Sequence, residues 1–370
     1  MNMRKIAIIV STLRIGGAEI QSVELANSLA AKGCEVTLIS LDSRTDIKER
    51  ISPGIPVHIL NKRNFMDLRV LRRLIWIIKA FQPEAMIMTN SYATMLGYFA
   101  RFFSGQRIKM VSVQHTTLVT DFRDKLENHF YRRIINRMDA VVFVCENQRK
   151  YWVKNYGIKA AVSRVVYNGV DLERFAGFQG DTAALRAKLG FSPEDVVIGI
   201  NAGFRPEKKH EDLLEAAGIL TGQGYPVKVL FIGDGETRPR MEELVRSKGL
   251  GDIVRFTGFV NDVRPYLDCL DISLLTSVAI ETLSIAIIES MAMGKPVILS
   301  GIGGAAELVD EGSNGLLYQA GNVPQLVKAV AAVINGDMFD SMGRKSREKA
   351  RTLFGKDSMV KGYLDILDEK

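Results

Sequence analysis

Two glutamates, Glu281 and Glu289, bracket seven residues in Glu-Thr-Leu-Ser-Ile-Ala-Ile-Ile-Glu, which runs on into Ser-Met-Ala-Met-Gly-Lys-Pro-Val. In one continuous α-helix, eight residues advance about 12 Å and leave the two side chains about 80° apart, so the carboxylates would not meet on one small molecule. With Glu281 on a loop and the helix beginning near Thr282, the geometry changes. The first carboxylate and the free N–H groups of the opening turn then serve one ligand, and Glu289 joins them about two turns on. Such a layout grips hydroxyls at two places, a sugar at one end and a ribose at the other.

Cationic chemistry has its own cluster. Gly203-Phe204-Arg205-Pro206-Glu207-Lys208-Lys209-His210 follows an apolar run, and Arg205 and Lys208 sit three apart where a strand gives way to a helix. Two cations at that kind of junction can hold a diphosphate, although a solvated basic turn would look the same in isolation. Gly16 and Gly17 stand between the first strand and the first helix. Glycine there lets backbone approach a phosphate or sugar, and a helix N-terminus favours negative charge. No third glycine follows at the offset of the dinucleotide fingerprint. His115 ends the run Met-Val-Ser-Val-Gln, with Thr116 and Thr117 behind it, and is expected to hydrogen-bond a ligand rather than abstract a proton. His58, His129 and His210 lack such a placement and are read as structural. Gly233-Asp234-Gly235 and the Phe256–Val260 stretch close two more strands, where backbone groups can meet a nucleotide base. Gly303-Gly304-Ala-Ala-Glu307 is similar, with Glu307 supporting the fold or bordering the site.

The elements that must position these residues are legible as alternation. Apolar, β-rich runs at 6–10, 35–40, 57–60, 85–89, 109–114 and 140–145 alternate with helical patterns over 17–32, 68–81, 92–103 and 123–137. After Asn168-Gly169-Val170-Asp171, a turn signal, the pattern restarts. Further strands are expected at 195–202, 227–232, 253–257, 272–276, 296–300 and 315–318. This is the signature of an α/β chain with two Rossmann-like, doubly wound domains, residues 1–167 and 168–353, and ligands where the carboxyl ends of both sheets face one cleft. A last amphipathic helix, within about 354–370, either covers the second domain or packs back on the first.

Composition bounds the rest. A chain of 370 residues, 47% apolar and 25% charged, is folded and large enough for two cores. Cys34, Cys145 and Cys269 are too few and too scattered for a disulfide framework and suit a reducing compartment. No apolar stretch reaches the roughly 20 residues of a spanning helix, so the expected location is cytoplasmic, at most peripheral on a membrane. The net charge of +7 conceals asymmetry: residues 1–165 carry 26 Lys and Arg against 13 Asp and Glu, a net of +13, leaving −6 for the remainder. A basic first half calls for an anionic partner, and no nucleic-acid module is present. Two amphipathic stretches carry that charge. One has Arg69, Arg72, Arg73 and Lys79 beside Trp76; the other has Arg123, Lys125, Arg132, Arg133 and Arg137 among aromatic residues. Packing on the sheet explains their apolar faces, and their basic flanks suit an anionic membrane surface. No Asp-x-Asp triplet, metal-spaced His/Cys cluster, phosphate-binding Gly-x-x-x-x-Gly-Lys-Ser/Thr loop or Gly-x-Ser-x-Gly elbow occurs, so no metal and no cofactor is expected.

Taken in order, Asn-Gly-Val-Asp, Phe-Arg-Pro-Glu-Lys, Gly-Asp-Gly, the spaced glutamates and Gly-Gly-Ala-Ala-Glu resemble the GT4 glycosyltransferases, whose fold is GT-B. The resemblance covers nearly the whole chain and is strongest from Asn168 to Tyr318. It implies retaining, metal-independent transfer from a nucleoside-diphosphate sugar to a hydroxyl acceptor, a glycan or lipid-linked glycan, in polysaccharide or glycolipid assembly. By the same resemblance, Glu281 touches the donor sugar and Leu283, Ser284 and Ile285 offer backbone N–H groups. Glu289 holds the ribose, and Arg205 and Lys208 hold the diphosphate. Gly16 and Gly17 approach the phosphates, and His115 lies near the sugar; Gly233 and Val260, from their place in turns at strand ends, are expected to border the nucleotide. The mechanism implied is same-face substitution, in which the leaving phosphate oxygen helps to deprotonate the acceptor. Where the family commonly has Gly-Phe-Gly after the first glutamate, this chain has Thr-Leu-Ser, which alters the donor-sugar pocket. Gly203 occupies the usual place of the phosphate-binding arginine, and Arg205 is read as its substitute. A nucleotide-sugar epimerase of the same architecture and a non-catalytic nucleotide-sugar-binding protein remain open alternatives. Acceptor dependence separates the first of these from a transferase.

Overall fold

A computed structural model describes residues 4–64, 67–115, 131–279 and 281–369. The chain divides into two units. One holds residues 1–169 together with 356–370, and the other runs from Val170 to Gly355.

Among the described residues, the first unit is built on a seven-stranded parallel sheet. Its strands are β1 (Lys5–Val10), β2 (Glu35–Ser40), β3 (Val57–Ile59), β4 (Ala85–Thr89), β5 (Lys109–Gln114), β6 (Ala140–Phe143) and β7 (Ser163–Val165), in the order β3-β2-β1-β4-β5-β6-β7. The order runs outward in both directions from β1 and β4, the doubly wound pattern. Continuous burial along β1, β4 and β6 explains why these strands read as unbroken apolar runs: helices cover both faces. The helix Leu68–Phe81 shows how local chemistry sets such elements. Val70, Leu74, Ile77 and Ile78 are buried at helical spacing, and the Asp67 carboxylate accepts the Arg69 N–H at the start. Gln82 ends the helix in the left-handed region at φ 53°. β7 escaped the sequence reading because Ser-Arg-Val holds a single apolar residue and so leaves no apolar run, unlike the equally short edge strands β3 and β10.

The C-terminal helix Lys356–Asp368 belongs to the first unit. Met359, Val360, Tyr363, Ile366 and Leu367 are buried in the same core as β1 and the helix Gly17–Ala31. Of the second basic stretch, Arg123 and Lys125 lie outside the described residues, as do His129, Thr116 and Thr117. Residues 131–135 are helical, with Tyr131, Ile134 and Ile135 buried.

The second unit has, among the described residues, a six-stranded parallel sheet. Its strands are β8 (Val196–Asn201), β9 (Val227–Ile232), β10 (Val254–Phe256), β11 (Ile272–Leu275), β12 (Val297–Ser300) and β13 (Gly315–Tyr318), ordered β10-β9-β8-β11-β12-β13. Again the order reverses, here between β8 and β11, the crevice where this topology collects ligand-binding loops. Among the described residues, no helix is long and apolar enough to cross a membrane.

Candidate active site

The turn after β8 and the loop after β11 leave neighbouring strands at the same end of the second sheet, and hydrogen bonds join them. The Thr276 hydroxyl donates to the Lys208 carbonyl at 2.7 Å, and the Val278 N–H donates to the Glu207 carbonyl at 2.9 Å. Across this seam the Lys208 ammonium donates to Glu281 Oε2 at 2.5 Å, and the Ser277 hydroxyl reaches the same oxygen at 3.1 Å. Only 19% of the lysine side chain and 11% of the glutamate side chain are exposed, so this is a sequestered pair with fixed geometry. Arg205 does not join it. Its side chain is exposed, and its backbone caps the short turn Pro206–Lys208.

The segment after Glu281 differs from expectation in one respect. The helix begins at Ile285, three residues later than the reading near Thr282. Ser284 is the cause: its hydroxyl accepts the Ile287 N–H at 3.4 Å and caps the helix. Thr282 is tied elsewhere, its carbonyl accepting the Gly304 N–H at 2.6 Å. The backbone N–H groups of Leu283, Ser284, Ile285 and Ala286 have no acceptor among the described residues. Four free donors in a row, beside a lysine and a carboxylate, form an anion-binding edge with a hydroxyl-binding neighbour. The Leu283 side chain is buried, so only its backbone is offered. Glu289 sits partly exposed on the second turn of the same helix.

Glycines shape this edge by approaching backbone. Gly303 has φ +57°, and a Cβ there would stand 2.0 Å from the Glu281 carbonyl oxygen. Gly303 and Gly304 therefore brace the strand-to-helix loop that carries Glu281, a role the sequence reading did not assign them. A Cβ on Gly233 (φ +135°) would stand 2.3 Å from the Ala202 carbonyl oxygen, just ahead of Gly203 and Arg205. The close approach is to protein. The Asp234 carbonyl accepts the Phe204 N–H at 3.0 Å, so Gly233-Asp234-Gly235 holds the basic turn in place. Gly258 continues the stack through its carbonyl, which accepts the Gly233 N–H at 3.2 Å, and Val260 follows partly exposed. His210 is buried, its ring stacked on Phe204 at 4.2 Å between centroids. Burial, with the nearby Lys208 charge second, pushes its imidazole down to about 4.

In the first unit, Gly16, Gly17 and His115 lie at the carboxyl end of its sheet, after β1 and β5, with β4 between them. Gly16 is extended (φ −167°) and caps the helix Gly17–Ala31 without a side-chain cap. The N–H groups of Gly17 and Ala18 have no acceptor among the described residues. The His115 N–H donates to the Asn90 Oδ1 at 3.1 Å, and Asn90 itself sits in the left-handed region at φ 68°. Asn90 thus anchors the histidine from the neighbouring strand end; an Asn closing a buried strand was the available signal. Burial pushes the His115 imidazole down to about 4, so it is neutral near pH 7 and presents one donor and one acceptor nitrogen. Gln21 was also missed. Its amide pairs with both the N–H and the carbonyl of Gly169, each at 3.0 Å, fixing the end of the first unit's chain to its first helix.

Comparison with known proteins agrees with this picture. The family model for glycosyl transferases group 1 matches residues 181–352, and that for glycosyltransferase family 4 matches residues 15–174. The chain is 26% identical over 368 residues to the N-acetyl-alpha-D-glucosaminyl L-malate synthase of Bacillus anthracis, covering 95% of this chain and 93% of that one. Among solved structures, Anabaena Alr3699/HepE in complex with UDP superposes with a TM-score of 0.87 at 21% identity, over 98% of this chain and 99% of that one. The sucrose-phosphate synthase of Thermosynechococcus elongatus superposes at 0.81 and 20% identity, over 98% of both. Two parallel-sheet units, the two matched family models and these likenesses converge: the chain is a glycosyltransferase of the GT4 family with the GT-B fold.

Proposed function

We propose that the protein transfers a sugar, with retention of anomeric configuration and without a metal ion, from a nucleoside-diphosphate sugar to a hydroxyl of a glycan or lipid-linked glycan. The observation that carries this reading is the Lys208–Glu281 pair beside the four unbonded N–H groups of Leu283 to Ala286. Lys208, Arg205 and those N–H groups supply the positive potential that a leaving diphosphate needs, in a partly sequestered place where it counts most. Glu281 accepts a sugar hydroxyl, and Glu289 accepts the ribose hydroxyls. The neutral His115 hydrogen-bonds the sugar, and the Gly16-Gly17 backbone meets the phosphates. In the transfer step the bond from the sugar C1 to the phosphate oxygen breaks, and the acceptor oxygen bonds to C1 on the same face. The acceptor proton passes to the departing diphosphate. Support for the donor class comes from Alr3699/HepE, solved with UDP, with UDP and glucose, and with UDP-glucose. In this reading the second unit binds the donor and the first meets the acceptor.

The test is titration of UDP, GDP and ADP sugars by calorimetry, followed by turnover with the best donor. Glu289→Ala is expected to weaken donor binding at least tenfold, the loss of two charge-assisted hydrogen bonds. Product formation that survives chelator, with retained anomeric configuration by NMR, supports the mechanism. Unchanged nucleotide affinity in the variant, or rearrangement of the donor with no acceptor present, would refute it.

A further inference from the structure

We propose that the helices Leu68–Phe81 and Asn90–Ser104 form a docking face for an anionic lipid bilayer. The inference goes beyond the glycosyl-transfer reading and does not depend on the donor. It starts from three large side chains that the fold leaves uncovered: Trp76 is 69% exposed, Phe102 69% and Phe103 55%. Isolated exposed apolar residues are ordinary, but three aromatics on adjoining helices are not.

The topology brings them together. Both helices connect parallel strands of one sheet, β3 to β4 and β4 to β5, and both contribute to the core on the same face. They therefore run side by side in the same direction, antiparallel to the strands. Trp76 lies five residues from the end of the first helix, and Phe102 and Phe103 lie in the last turn of the second. At about 1.5 Å per residue, with helix axes about 8–10 Å apart, the rings share one end of the layer. The Phe102 and Phe103 rings also touch edge to face, 5.3 Å between centroids.

Charge identifies the occupant. On the same exposed face of the first helix stand Arg72, Arg73 and Lys79, none with an ion-pair partner among the described residues; Arg69 is paired with Asp67 at 2.9 Å. Cations flanking uncovered aromatics match a surface that is anionic outside and apolar beneath. A second copy of the chain would bring the same unpaired cations against these, and like charge opposes that pairing. Orientation agrees too. Lys5, at the start of β1, lies 5.6 Å from the Phe81 ring, so the ends of these helices sit by the amino ends of the strands. Gly16, Gly17 and His115 are at the opposite end and stay in water when this face is docked.

The experiment is co-sedimentation of the full chain with phosphatidylcholine vesicles, with and without phosphatidylglycerol, across a salt series. Binding is expected only with phosphatidylglycerol, and to fall as salt rises. Trp76→Ala and the pair Phe102→Ala with Phe103→Ala should each weaken partitioning roughly fivefold or more, as apolar insertion is lost. Arg72→Gln with Arg73→Gln should weaken it roughly 10-fold to 30-fold. Circular dichroism and turnover on a water-soluble acceptor should be unchanged in all three variants. Absence of vesicle binding, equal binding to neutral vesicles, or full binding by these variants would overturn the proposal. So would a dimer in sedimentation equilibrium that Trp76→Ala dissolves. The vesicle-binding and sedimentation readouts use no donor, so their failure leaves the glycosyl-transfer reading intact.

Discussion

Glu281→Gln should make the protein bind UDP more tightly while nearly abolishing transfer. In the free chain the Lys208 ammonium is held by Glu281 Oε2 at 2.5 Å, so a diphosphate arriving at Lys208 meets a carboxylate already in place. A phosphate oxygen in hydrogen-bond contact with the ammonium would lie about 5 Å from that carboxylate. At an effective dielectric of about 20, two unit charges at that distance repel by about 3 kcal/mol. The pair retains 19% and 11% exposure, so we expect about 1–2 kcal/mol to survive screening, or roughly a 5-fold to 30-fold gain in UDP affinity. Glutamine keeps the shape and a hydrogen-bonding carbonyl while removing the charge. Calorimetric titration of UDP, which lacks the sugar that Glu281 is assigned to hold, isolates the effect. Turnover with the sugar nucleotide should fall roughly 100-fold or more in the same variant. In a Lys208→Met background the gain should shrink, because no ammonium then holds a phosphate within about 5 Å of the carboxylate. If Glu281→Gln binds UDP no better than the parent, or gains equally without Lys208, the competition argument is wrong.

Three further outcomes follow from the geometry. Gly303→Ala would place a Cβ 2.0 Å from the Glu281 carbonyl oxygen at φ +57°; transfer should drop roughly 100-fold with secondary structure retained, measured by turnover and circular dichroism. His210 is neutral in the fold with its imidazole pushed down to about 4, whereas the unfolded chain takes up the proton near pH 6.5. Its contribution is therefore complete above pH 6.5 and declines as pH falls to about 4, by about 3 kcal/mol, and no further below that. Urea titrations across this range should show the decline, and His210→Leu should flatten it. His115→Ala should lower kcat more than it raises KM, because a hydrogen bond to the reacting sugar matters most in the transition state; a pure KM effect would contradict that role.

Much of the second sheet was legible from sequence. The apolar runs at 227–232 and 315–318 coincide with β9 and β13, and the others differ from the observed strands by one residue at one end or at both. Strands buried on both faces leave a continuous apolar record that needs no tertiary knowledge to read. β7, Ser-Arg-Val with one apolar residue, leaves none. The helix after Glu281 starts at Ile285 and not near Thr282, because Ser284 caps it while the Thr282 carbonyl is taken by the distant Gly304 N–H, a contact no local pattern records. The amphipathic pattern of residues 356–367 predicted a helix but could not say which core it covers, since an apolar stripe is the same against either sheet.

By itself, then, the sequence determined the alternation of strand and helix, the lengths of most elements, and which polar residues fall at strand ends. Those properties depend on side-chain period and on turn chemistry, both local. Only the tertiary structure decided that Lys208 pairs with Glu281, that Gly303 braces Glu281, that Asn90 anchors His115, and that Gln21 grips Gly169. Each of those contacts joins residues 22 to 148 positions apart, brought together by strand order. Strand order comes from how two faces of a sheet are covered at once, and no single segment records it.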